Sequence, residues 1–222
     1  MSGWGEFIAA FCVFLLSHSL PIRPPIKPMI VARLGKAAFA LLYSALSIAV
    51  LIWLIIAASR APYVELWPRL PWQNHVALAA MMAACMIVAL ATFRPNPSSF
   101  GGWRNAGFNP ATPGITGWLR HPYLAALTLW AAGHAVPNGD LAHVLLFGGF
   151  ALFALLGMQL IDRRRRREMG DAQWANLVRA AKAGRSLTPD VGTIGRLLAA
   201  LALLAGLVSL HPLIIGLDAV SW

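Results

Sequence analysis

The sequence is poor in charge: Asp, Glu, Lys and Arg make up only 12% of its 222 residues, whereas soluble domains carry about 25%. Acidic residues are the scarcest, with eight Asp and Glu against 18 Lys and Arg. The two cysteines, Cys12 and Cys85, both lie inside apolar runs, which excludes a disulfide framework and a cysteine-based zinc site. Strand patterns and internal repeats are also lacking. These deficits disfavour a soluble domain of any common class.

Long apolar runs dominate instead, and hydrophobic residues reach 59% of the chain. A membrane-spanning helix needs about 20 apolar residues, because lipid cannot satisfy exposed backbone groups. The first run follows Glu6 without a basic start or a small-residue cleavage signature, so we interpret it as a retained helix. Six such runs predict helices over residues 3–20, 34–59, 74–93, 118–136, 141–161 and 192–217.

A polar stretch between the last two runs predicts one more helix, over residues 168–183, that lies in the membrane interface. The predicted fold class is therefore all-α, a polytopic transmembrane helix bundle of about six spans plus one interfacial amphipathic helix. Residues 1–222 are predicted to form a single integral-membrane domain.

The net charge of +10 comes from basic residues placed between the apolar runs. Sixteen of the 18 Lys and Arg lie in the segments after the first, third and fifth runs or in the first residues of the run that follows each segment, and only Arg60 and Arg69 lie on the opposite side. The positive-inside rule then places these three segments in the cytoplasm and both termini outside. Because no contiguous soluble basic domain exists, nucleic-acid binding is not expected. The run Arg163–Arg167 is typical of a topology anchor on anionic headgroups, or of a clamp for a phosphate or acidic cofactor.

Ionisable residues near the ends of apolar runs are candidates for function, since they are costly inside a membrane. His75, His143 and His211 fit solvated interfacial positions. His18 and His134 follow longer stretches of apolar or small residues, and His134 is flanked by residues small enough to admit a flat ring. Either could be an axial haem ligand, since neutral imidazole binds iron, or could form a hydrogen bond between helices.

Arg120, His121 and Tyr123 surround Pro122 at the predicted start of the fourth helix, a position that proline favours. They fit an interfacial anchor together with Trp118, or recognition of a charged or planar ligand from the cytoplasm.

Helix geometry limits which histidines can act together. His121 and His134 are 13 residues apart on one helix, or about 20 Å along its axis, so they cannot ligate the same iron. The predicted topology places His18 at the depth of His121, which favours His18 with His121 as the ligand pair. The sequence around His134, however, makes His134 the better buried ligand. Both pairings stay open at this point.

The chain resembles the NnrU family over nearly its whole length. The resemblance is carried by the segments HSLPIRP, YSALS, APYVELW, NPSSFGG, GFNPATPGITGWLRHPYL, LWAAGHAVPNGD and LFGG. The resemblance implies a bacterial inner-membrane protein associated with denitrification and nitric oxide handling. The distribution of basic residues described above then predicts that its termini are periplasmic. A respiratory or denitrification protein is then an expected partner, besides membrane lipid.

The NnrU family is similar to the plant 15-cis-zeta-carotene isomerases, membrane enzymes that bind haem b. That similarity implies haem b as cofactor, His18 and His134 as its iron ligands, and isomerase-like action on an apolar small molecule. The isomerases carry a cysteine three residues before the second histidine, where this chain has Ala131.

Two alternatives remain. Arg120, His121 and Tyr123 also resemble a motif of the isoprenylcysteine and phospholipid methyltransferases, with Glu168 in the later acidic helix, which implies S-adenosylmethionine as cofactor. The third alternative is a non-enzymatic assembly factor for a respiratory reductase, which the few polar residues within the apolar runs also fit.

Overall fold

The computed structural model describes residues 3–186 and 191–216, and all regular elements in these residues are helical apart from one isolated bridge. Two single 3₁₀ turns, Asn105–Gly107 and Gly114–Gly117, interrupt the long loop before α4. The α-helices are α1 (Gly3–Ser19), α2 (Ile26–Ser59), α3 (Pro71–Ala91), α4 (Pro122–Ala135), α5 (Leu141–Met169), α6 (Asp171–Ala183) and α7 (Val191–Ile215). The all-α prediction is confirmed.

Four of these helices, α2, α3, α5 and α7, are long and apolar enough to cross a membrane. The expectation of six spans is not confirmed, because α1 has 17 residues and α4 only 14. At 1.5 Å per residue α4 is about 21 Å long, less than the roughly 30 Å of hydrocarbon in a bilayer. The inner-membrane location and the side on which the termini lie stay predictions.

The start of α2 differs from its prediction. It begins at Ile26, directly after Pro24 and Pro25, rather than near residue 34. Pro28 falls in the first turn, where a missing backbone N–H breaks no helical hydrogen bond. Gly35, with φ +82°, then interrupts the helix where the long apolar run was expected to begin.

The end of α5 also differs from its prediction. It continues eight residues beyond 161, so the five arginines lie on a helix rather than in a loop. Arginine is a good helix former, and cations stabilise a helix carboxyl end. Gly170 separates this end from the amphipathic α6, which begins at Asp171 rather than at 168.

The chain divides into two compact units, one of Met1–Pro68 with Gly139–Leu146 and one of Arg69–Asn138 with Phe147–Trp222. The prediction of a single domain stays a prediction.

In the first unit α1 packs along α2. The indole of Trp53 donates to Glu6 Oε1 over 3.3 Å, and Arg60 lies 3.8 Å from the same oxygen. The segment after α2 forms an antiparallel bridge between Glu65 and Asp140, with Leu66 N donating to Gly139 O over 2.7 Å. Residues just before α5 are thereby held against residues just after α2.

In the second unit α3 packs against both α4 and α7. Its contact with α4 is antiparallel, since Tyr123 near the start of α4 reaches Thr92 just past the end of α3. The guanidinium of Arg196 on α7 donates to the Ala89 carbonyl over 3.0 Å and also to the Thr92 carbonyl. Arg196 thus satisfies carbonyls that the carboxyl end of α3 leaves without helical partners.

Large apolar side chains remain exposed along the spanning helices. On α2, Leu41 is 72% exposed, and on α7 Leu213 is 80% exposed. Such surfaces suit lipid rather than water, so the exposure supports a helical membrane protein.

The closest approach of α3 and α4 generates a stability prediction. A Cβ at Gly133 would lie 2.6 Å from the Cβ of Ala80, so Gly133→Ala forces the helices apart, at a cost of about 1–3 kcal/mol. Gly148→Ala is the matched control, because its Cβ would meet nothing within 4 Å. We expect a lower thermal midpoint in detergent for Gly133→Ala only, and equal midpoints would contradict the packing.

Candidate functional site

The amino end of α4 carries a cluster of polar side chains built around Asp162 of α5. The Oδ1 atom of Asp162 lies 2.9 Å from Arg120 Nε and 3.0 Å from His121 Nε2. A second guanidinium N–H of Arg120 donates to Oδ2 of the same carboxylate. On its other side His121 Nδ1 lies 2.9 Å from Ser99 Oγ. Two predicted site residues, Arg120 and His121, are thus brought together, while Asp162 and Ser99 were not predicted.

His121 is held as a neutral imidazole. It is only 4% exposed, and this burial lowers its pKa, as does the neighbouring Arg120 charge, against the opposing effect of Asp162. Arg120 Nε–H lies 3.3 Å from His121 Nε2 but is closer to Asp162 Oδ1, at 2.9 Å. We therefore assign the tautomer in which Nε2–H donates to the carboxylate, which accepts only, and Nδ1 accepts from the Ser99 hydroxyl.

Ser99, His121 and Asp162 follow one another in the order hydroxyl, imidazole, carboxylate, as in hydrolytic triads. Ser99 is only 2% exposed, however, which leaves no approach for a substrate to its Oγ. Asp162 is also shared with Arg120. The arrangement therefore fixes the α4 entry rather than presenting a nucleophile.

The loop before α4 is ordered by the same cluster. Asn96 donates from Nδ2 to the Arg120 carbonyl over 3.0 Å, and its own backbone N–H donates to Asn105 Oδ1 over 2.8 Å. Arg165 donates to the Ser99 carbonyl over 3.0 Å. One arginine of the run in α5 is thus a loop anchor, a role that neither sequence interpretation of the run included.

Tyr123 lies outside this cluster. Its ring stacks on Phe100 with centroids 6.0 Å apart, and its hydroxyl is 3.4 Å from Thr92 Oγ1. Glu168 lies apart as well, since its carboxylate pairs with Arg164 and Arg165.

His134 lies near the other end of α4, among aromatic rings. Its Nδ1 is 2.8 Å from the Trp130 carbonyl, and since a carbonyl only accepts, Nδ1 carries the proton. Nε2 then holds the lone pair and makes no hydrogen bond within the described part of the chain. Ring centroids of Trp130 and Phe147 lie 5.1 and 5.4 Å away.

A cavity of about 100 Å³ opens beside His134. Its walls come from α3, α4 and α7 and include Asn74, Asn138 and His211. His211, which the sequence placed among solvated interfacial histidines, therefore shares a cavity with His134. The signal that could have revealed it is its position in the last apolar run, just before Pro212.

His18, in the first unit, repeats the arrangement of His134. Its Nδ1 donates to the Phe14 carbonyl over 2.9 Å, and its ring lies 4.1 Å from that of Phe14, centroid to centroid. The Tyr43 hydroxyl donates to the His18 carbonyl over 3.3 Å. Since His18 and His134 belong to different units, their ligation of one iron stays a prediction.

In the second unit, His134 is the residue that the sequence predicts as a haem ligand. Among residues 3–186 and 191–216 no three His, Cys, Asp or Glu lie close enough to hold a metal ion. A haem iron needs only one or two axial protein ligands, and His134 has the tautomer for one. The cavity in this unit, about 100 Å³, is smaller than the roughly 300–1,000 Å³ typical of cofactor pockets.

A family model described as NnrU protein matches residues 6–219 of the chain. The chain therefore belongs to the NnrU family, which confirms the resemblance seen in its motifs. No curated protein and no solved structure matches it.

Removing the Asp162 carboxylate should destabilise the protein. Asp162→Ala leaves Arg120 and the buried His121 without their acceptor, so we expect a loss of about 2–4 kcal/mol in the free energy of unfolding. Glu168→Ala removes an exposed carboxylate with two arginine partners and should cost less than about 1 kcal/mol. Thermal unfolding in detergent compares them, and similar losses would contradict the role of Asp162.

The lowered pKa of His121 predicts a pH dependence. The unfolded chain, with a histidine pKa near 6.5, binds the proton first, so stability due to His121 is complete above that pH and is lost below it. The difference in thermal midpoint between wild type and His121→Gln should therefore be largest near neutral pH and shrink on acidification. A difference that grows on acidification would show a raised pKa and a charged imidazole.

Proposed function

We propose that this NnrU-family protein binds haem b in the membrane, with His134 as an axial ligand and His18 as the second. The observation that supports this most directly is the tautomer of His134. Its Nδ1–H is fixed on the Trp130 carbonyl at 2.8 Å, which directs the basic lone pair to Nε2. A carbonyl partner of this kind orients metal-ligating histidines and increases their basicity.

The surroundings of His134 also suit a flat apolar group. Trp130 lies at a tilt beside Phe150, with centroids 5.7 Å apart, and makes an edge contact with Phe147 at 5.5 Å. The imidazole thus lies beside aromatic rings and also lines the cavity. When bound, haem b would supply one-electron redox chemistry, while the chain supplies ligation and a water-poor environment.

The proposed physiology follows from the family and from this chemistry. We place the protein in the bacterial inner membrane, with periplasmic termini, in nitric-oxide-linked redox metabolism of denitrification or as an isomerase-like enzyme on an apolar small molecule. Ala131 stands where the isomerases carry cysteine, so a change of ligand to thiolate is not part of the proposal. A denitrification or respiratory protein is the proposed partner.

The methyltransferase alternative has less support from the geometry. It needs Arg120, His121, Tyr123 and Glu168 around one cofactor. The first two bind Asp162, Tyr123 lies against Phe100 and Thr92, and Glu168 pairs with arginines of its own helix. An assembly factor without a ligand is the remaining alternative, and it predicts a colourless protein.

An absorption spectrum tests the haem proposal. Protein purified in detergent from haem-replete cells should show a Soret band that shifts on reduction. His134→Ala should remove most of the bound haem, His18→Ala should weaken or shift the band, and the control His75→Ala should leave it unchanged. Pyridine-haemochrome assay gives the haem content per chain.

A second variant guards against loss of folding. His134→Met keeps an axial ligand of a different kind, so it should retain haem with an altered spectrum and a raised reduction potential. A folded wild-type protein that purifies without haem overturns the proposal.

A further inference from the structure

We propose that a basic cavity between α6 and the loop before α4 binds a phosphate-bearing ligand. The cavity has a volume of about 240 Å³ and lies entirely within the second unit, among residues that the haem proposal does not use. Its walls come from the loop residues Phe108 and Thr116–Trp118, from Leu177–Arg185 of α6 and the segment after it, and from Ser98 and Arg120.

The charge of the cavity has one sign. Three cationic side chains, Arg120, Lys182 and Arg185, line it, and none of its described lining residues is acidic. The negative charge of Asp162 compensates the positive charge of Arg120. Lys182 and Arg185 form no ion pair within the described residues, so the site carries about two uncompensated positive charges. A phosphate monoester, with about −1.5 to −2 charges at neutral pH, matches that value.

Hydrogen-bond donors are also available. Arg120 uses Nε and Nη2 on Asp162, while its Nη1 makes no hydrogen bond within the described part of the chain. Arg185 rests on the face of Trp118, 4.8 Å from its centroid, which positions the guanidinium without using its N–H groups. The hydroxyls of Ser98 and Thr116 already donate to Asn96 and to the Pro113 carbonyl, so the ligand oxygens would bind the cations.

A second observation that supports a ligand here concerns Trp174, which lies one turn before the cavity residues of α6. It is 8% exposed, and its Nε1–H is buried without an acceptor in residues 3–186 and 191–216. Its ring lies beside the guanidinium of Arg120, at 5.4 Å, and that of Arg166, at 4.1 Å. Buried N–H groups without acceptors are uncommon in native proteins, and this one belongs to a ring that lies beside Arg120, a residue that lines the cavity.

Two sources can supply such a ligand, an anionic lipid headgroup or a free phosphate compound. Calorimetry on the full chain in neutral detergent distinguishes them, with short-chain phosphatidic acid and inorganic phosphate as probes. Salt near 0.15 M screens exposed charges more than about 8 Å away. Binding of the lipid alone identifies a headgroup site, and comparable binding of both probes identifies a site for free phosphate.

Matched variants separate this cavity from general surface charge. Lys182→Gln with Arg185→Gln should weaken binding about tenfold or more, whereas Arg163→Gln with Arg167→Gln, an equal change of charge on α5, should weaken it less than about threefold. Equal weakening by the two double variants, or no binding by the wild type, overturns the proposal. If the first double variant does not fold, the single variant Lys182→Gln at its exposed helix position makes the same comparison.

Discussion

One carboxylate organises the second unit. Asp162 stands where the apolar part of α5 ends, and a charge there needs partners that do not come from lipid. Arg120 and His121 supply them, and their loop is in turn tied by Asn96 and by Arg165 of α5. Because α4 starts directly after these residues, the same ion pair fixes the start of α4 against α5.

The two ends of α4 therefore carry histidines of different kinds. At its start, His121 uses both ring nitrogens, one on Asp162 and one on Ser99, so no nitrogen is left for a ligand. Near its end, His134 uses Nδ1 alone for a hydrogen bond, and its side chain lines a cavity. His121 thus stabilises the contact between the loop and α5, whereas His134 is the imidazole on which the haem proposal rests.

Sequence patterns predict some of these features and miss others for physical reasons. Among the described residues, apolar runs located each long helix, because burial in lipid needs continuous length. The predicted starts of α2 and of α4, at 34 and 118, and the predicted end of α5, at 161, were wrong. Proline is harmless in a first helical turn, and a run of arginines continues a helix as readily as it ends one. The partner of Arg120 and His121 was missed because Asp162 lies 42 and 41 residues further along the chain, and no local periodicity reports such a contact.

The close contact of Gly133 with Ala80 has a consequence for how such a protein can evolve. Glycine contributes no chemistry, yet its backbone is pressed against α3 next to the residue that presents an imidazole to the cavity. Any side chain at 133 shifts that imidazole along with the helix. Substitutions at position 133 are therefore not neutral, although Gly133 has no side chain that could bind a ligand. Position 133 should tolerate replacement about as poorly as position 134, and less well than an ordinary glycine in a membrane helix.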